Sequence, residues 1–130
     1  MATWEDVRRI ALALPETTEE VRRTNVVWKV RTKPFAWERP LGKGDRAALG
    51  DAAPDGDILA VRIAQIELRE ALIASDPAVY FTIPHFSGFP AVLMRLGVVG
   101  EPELTEALGE AWLCMAPKRL ADDFLKAREG

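Results

Sequence analysis

Apolar positions in the first fifteen residues recur at helical spacing, with Val7, Ile10, Ala11 and Leu14 on one face. Thr3, followed by Asp6 three residues on, is close to a capping box, so a helix is predicted from about Trp4 to Leu14, where Pro15 ends the pattern. Glu16 to Arg23 is polar without a period and reads as a loop. Between Val26 and Arg31 the period changes to two. Val26, Trp28 and Val30 take one face, Lys29 and Arg31 the other. Lys33-Pro34 supplies a turn, after which Phe35 and Trp37 alternate with Ala36 and Glu38, so a hairpin is predicted. From Pro40 to Asp57 the chain is rich in Gly, Pro, Asp and Ala and has no clear period, which predicts a mobile or extended loop.

Ile58 to Arg62 reads as a third strand. Ala64 to Ser75 places Leu68, Ala71 and Leu72 on one helical face, widened by Ile66 and Ile73, and Asp76-Pro77 stops that helix because a residue before proline disfavours helical geometry. Val79 to Ile83 and Ala91 to Val99 are apolar runs of strand character, separated by the turn Pro84-His85-Phe86-Ser87-Gly88-Phe89-Pro90. Proline in the first turn opens the next helix at Glu101-Pro102. Its apolar stripe runs through Leu104, Ala107, Leu108, Ala111, Trp112 and Met115 until Pro117 interrupts it. Leu120, Ala121, Phe124 and Leu125 mark a short last helix. The order α-β-β-β-α-β-β-α-α predicts an α+β fold with an antiparallel sheet of about five strands and helices mainly on one face.

Composition narrows the function classes. A chain of 130 residues, 48% hydrophobic and 28% charged, is the size and make-up of one globular domain spanning residues 1–130. Cys114 is the only cysteine and His85 the only histidine, so no internal disulfide forms and the usual zinc ligand sets cannot be assembled. No basic and apolar leader and no membrane-length apolar run are present, so a cytoplasmic protein without a membrane partner is expected. The net charge of −3 is uneven. From Glu20 to Ala47 eight basic residues face three acidic ones, a local +5 that leaves −8 elsewhere. Such a segment can steer an anionic partner, or it can be a solvated face whose lysines guard a sheet edge.

Several runs together resemble one family. They are Trp4-Glu5-Asp6-Val7-Arg8-Arg9-Ile10-Ala11-Leu12-Ala13-Leu14-Pro15, Trp28 through Ala36, Thr82 through Pro90, Val92-Leu93-Met94-Arg95-Leu96, and Trp112 with Ala116-Pro117-Lys118-Arg119-Leu120. Across almost the whole chain they resemble the MmcQ/YjbR family. The turn and the Ala-Pro-Lys-Arg-Leu run are the most specific parts. The resemblance implies a CyaY-like, or double-wing, arrangement and DNA binding. The segment from Gly42 to Asp57 is longer than the shorter family pattern.

The residues themselves offer little chemistry. His85 is the one side chain that ordinarily titrates near neutrality, but general-base work needs a pocket and an orienting partner. Ser87 is too close in sequence to pair with it, and no Gly-x-Ser-x-Gly elbow exists. His85 is therefore read as a turn-fixing or binding residue, and the protein as a non-enzyme without a cofactor. Phe86 and Phe89 can stack on bases or sit in the core. Gly42-Lys43-Gly44-Asp45 lacks phosphate-loop spacing, Glu101, Glu103, Glu106 and Glu110 read as a solvated helix face, and Cys114 as a small buried hydrophobe. Lys118 and Arg119, just after Pro117, can add charge at a helix start or contact the preceding helix. The expected interface is a basic hairpin wing in which Lys29, Arg31, Lys33 and Arg39 contact DNA phosphates, joined by His85, Lys118 and Arg119. The alternative is a non-catalytic module for a protein partner or a small ligand.

Overall fold

The computed structural model describes residues 1–129. Helix α1 (Trp4–Leu12) opens the chain. Its capping box is complete, with the Asp6 amide donating to Thr3 Oγ1 at 3.3 Å and the Thr3 amide donating to Asp6 Oδ2 at 2.9 Å. Strands β1 (Thr17–Arg22), β2 (Asn25–Val30), β3 (Lys33–Glu38), β4 (Ile58–Arg62), β5 (Tyr80–Phe81) and β6 (Ala91–Arg95) form one sheet in the order β1-β2-β3-β4-β6-β5. Every neighbouring pair is antiparallel. Between them lie α2 (Lys43–Leu49) and α3 (Glu67–Ser75), and α4 (Glu101–Met115) and α5 (Lys118–Glu129) close the chain.

Directly opposed residues of antiparallel strands share a face, which fixes the two sides of the sheet. One side carries Trp28, Val30, Leu59, Val61, Val92 and Met94, and α1, α4 and α5 pack on it, with α3 at its margin. The other side carries Val27, Trp37, Ile58, Ala60, Phe81 and Leu93. It is covered in part by the 3-10 turn Pro84–Phe86 and by Leu41 and Leu49, which flank and end α2. The indole of Trp112 in the main core donates to the Pro15 carbonyl at 3.0 Å, so its one polar atom is satisfied where the ring is fully buried.

Four expectations need correction. The sheet has six strands, because the polar stretch read as a loop from Glu16 to Arg23 is β1. It pairs residue by residue with β2 from Thr17 opposite Val30 to Arg22 opposite Asn25. As an edge strand it is held by its backbone and salt bridges and buries almost nothing, so no alternation marks it. The stretch 40–57 holds α2 and a 3-10 turn at Gly50–Ala52; α2 buries none of its residues, which is why no apolar period announced it. Cys114 is exposed. Finally, Phe35 and Trp37 do not share a face. A bulge shifts the β2–β3 register between Trp28 and Lys29, sending Phe35 and Ala36 both to the helical core and Trp37 to the other side.

Candidate nucleic-acid interface

The bulge and the Pro84–Pro90 turn together build an aromatic and cationic patch on the sheet side away from α1 and α4. Trp37 lies 6.5 Å from Phe86 and 6.2 Å from Phe89, ring centre to ring centre, and the two phenylalanines meet edge to face at 5.7 Å. Phe86 is buried and Phe89 is 37% exposed, so the pair divides between core and surface. The guanidinium of Arg62 stacks 4.7 Å above Phe89, and that of Arg39 stands 5.9 Å from Phe86. Arg22, Val27, Pro34, Trp37, Arg62 and Phe89 line a shallow concavity of about 270 Å³. Among the described residues no carboxylate lines it. On the same side, Glu20 of β1 accepts from Lys29 Nζ at 2.9 Å and from Arg22 Nε at 3.1 Å. Those two cations, Lys29 first, hold the Glu20 carboxyl below its usual range.

Two arginines that the sequence did not single out hold the turn in place. Arg69 of α3 donates from Nη1 to the carbonyls of Phe86 (2.9 Å), Phe89 (3.0 Å) and Ala91 (3.2 Å). Arg62 Nε donates to the Pro90 carbonyl at 3.1 Å, which also accepts the Ile63 amide at 3.0 Å. Gly88 supplies a left-handed backbone, φ 77°, that L side chains rarely adopt. The turn is therefore a clamped platform that presents Phe89 beside Trp37. The signal for these anchors is tertiary, since Arg69 sits seventeen residues or more from every carbonyl it bonds.

The residues expected to form a wing are only partly gathered. Lys29 faces the patch. Arg39 is near it, paired with Asp45 at 3.2 Å. Arg31 lies in the β2–β3 turn with φ 55° and is paired with Glu16 at 2.7 Å, a contact that raises its pKa and lowers that of Glu16. Lys33 is exposed at the start of β3. Lys118 and Arg119 are on α5, on the helical side of the sheet, where Lys118 pairs with Asp122 at 3.0 Å. His85 is exposed on the turn and, among the described residues, makes no hydrogen bond, so it does not fix the turn's backbone; its ring lies 6.4 Å from Phe86. Among the described residues no group of three or more His, Cys, Asp and Glu side chains converges as a metal site would require. Among the described residues no helix is long and apolar enough to cross a membrane.

Comparison with known proteins settles the lineage. The family model described as YjbR matches residues 12–114. The chain belongs to the YjbR family. It is 50% identical over 128 residues to uncharacterised proteins of Mycobacterium tuberculosis strain H37Rv and of Mycobacterium bovis, covering 96% of this chain and 97% of each relative. Among solved structures it is similar to the crystal structure of Deinococcus radiodurans protein DR2400, described by the family-model domain DUF419. The TM-score is 0.64 at 22% identity, covering 87% of this chain and 78% of that one. At that identity the likeness speaks for the fold, and the α+β architecture read from this YjbR chain agrees with it.

Proposed function

We propose that this YjbR protein is a non-enzymatic DNA-binding module that receives single-stranded DNA across the exposed half of the sheet. The observation that carries the reading is the concavity where Trp37 and Phe89 stand beside Arg22 and Arg62, with Lys29 alongside and no carboxylate in its lining. Stacking on an aromatic ring is worth about 1–3 kcal/mol per base and tolerates any sequence, while nearby cations track the backbone. The reading moves the contacts from the tip of the basic hairpin to its face, because Trp37 and the exposed Phe89 stand on that face. Three cations, two of them shared with Glu20, predict weak and strongly salt-dependent binding. The log–log slope against salt is expected at about −2 for a single strand.

The test is fluorescence anisotropy of a labelled oligothymidylate titrated at low and at physiological salt. Phe89→Ala and Arg22→Ala, both at exposed positions, are expected to weaken binding about tenfold or more. The pair Lys118→Ala with Arg119→Ala, on the other side of the sheet, is expected to change it little. Absence of binding at low salt sinks the proposal. Binding of duplex DNA that depends on Lys33 and ignores Phe89 would return the interface to the hairpin tip.

A further inference from the structure

On the opposite side of the sheet, α3 and α4 stand apart over the ends of β4, β5 and β6 and leave a cleft of about 470 Å³. Its walls are apolar, formed chiefly by Val61, Ile63 and Val92 from the strands, Leu68 and Leu72 from α3, and Ala107 from α4. Helix α3 buries none of its residues and leaves Leu68 45% exposed, so its apolar face is only half covered by the protein. The volume falls in the range of small-molecule sites, roughly 300–1,000 Å³.

Apart from Arg62, the charged groups of the cleft are acidic. Glu103, Glu106 and Glu110 line it from α4, spaced three and four residues apart and therefore along one face. Among the described residues none of the three forms a salt bridge. Asp76 adds a further negative charge beside Glu103. Arg62 is the one cation in the lining, and its guanidinium is committed to the other side of the sheet, over Phe89 and against the Pro90 carbonyl. Tyr80, 5% exposed, stands in the lining next to Glu103. Burial first, then Asp76, pushes the Glu103 carboxyl above its ordinary range, while Glu106 and Glu110 are exposed.

We infer that the cleft between α3 and α4 binds a small organic cation, an apolar body carrying a protonated amine. The body replaces the missing cover of Leu68 and Leu72, and the ammonium neutralises the glutamate row that the chain itself leaves without a cation. A neutral apolar ligand would cover the walls but would bury the half-buried Glu103 further without a cationic partner, which costs free energy. An anion is repelled by the same row. The site is independent of the DNA reading, because it lies on the other side of the sheet.

Dansylcadaverine, an amine on an environment-sensitive fluorophore, is the probe, and its carboxylate counterpart dansyl-6-aminohexanoic acid is the control. The amine is expected to bind saturably with blue-shifted emission, and the carboxylate at least tenfold more weakly. The double variant Glu103→Gln with Glu106→Gln is expected to lose at least tenfold in affinity for the amine, while Phe89→Ala keeps it. Ala71→Trp, which fills the cleft, is expected to abolish binding. Should that variant not fold, protection of Cys114 from maleimide by the bound amine provides the second readout, since Cys114 lines the same cleft. Equal binding of the two probes, an unchanged double variant, or Cys114 modified as fast with the amine as without it would overturn the inference.

Discussion

Replacing Arg69 by methionine removes a guanidinium while keeping most of the apolar stem, so it isolates the clamp on the Pro84–Pro90 turn. One nitrogen, Nη1, serves three carbonyls at 2.9, 3.0 and 3.2 Å, but it carries only two hydrogens. At most two bonds are fully formed at once. Each hydrogen bond from a charged donor contributes about 1.5–3 kcal/mol. The Phe89 carbonyl bond is exposed and recovers water when the arginine is lost, whereas those to Phe86 and Ala91 are partly buried. The expected loss is therefore about 2–3 kcal/mol. At this chain length each kcal/mol lowers Tm by roughly 3–5 °C, so a fall of about 10 °C is expected. Arg69→Lys, whose shorter compact head cannot reach all three acceptors, should recover less than half. Urea and thermal unfolding followed by circular dichroism measure both variants. A loss within about 0.5 kcal/mol for Arg69→Met, the range of an ordinary surface substitution, would refute the clamp.

Other outcomes follow from the same structure. The Glu103 carboxyl has a raised pKa, mainly from burial and Asp76, so the folded state holds its proton to higher pH than the unfolded chain does. The resulting penalty is absent below the ordinary value of 4.5 and sets in as pH rises through the window above it. Glu103→Gln should thus raise the urea midpoint near neutrality relative to the parent and leave it nearly unchanged in acid. Gly88→Ala meets no atoms within 4 Å but must adopt φ 77°, so a purely backbone cost of about 1 kcal/mol is expected in urea unfolding. A variant as stable as the parent would show that the turn relaxes out of the left-handed region.

The sequence by itself determined the helices with apolar stripes, the strands with clean alternation, and the turn that carries the family signature. Thr3 and Asp6 announced α1 because a capping box is local chemistry. Val26, Trp28 and Val30 announced β2 because one of its faces meets the helical core. Where an element buries little, the signal vanished. Strand β1 is held at the edge by backbone pairing and α2 buries none of its residues, so both read as loops. Half of the candidate interface was equally out of reach. A single bulge opposite Lys29 turned Trp37 away from Phe35, and a one-residue change of register reverses a side chain's face without altering the composition. The charge that looked like a basic wing was counted along the chain, but Glu16, just before β1, pairs with Arg31, and Glu20 of β1 pairs with Lys29 across the sheet. The glutamates of α4 read as a solvated face, and Glu101, Glu106 and Glu110 are exposed; that Glu103, Glu106 and Glu110 also border a cleft is decided only by the tertiary fold, which places α3 beside them. Periodicity reports which face of an element meets a core. Which charges and rings meet one another depends on strand order and register, and those were decided only by the fold.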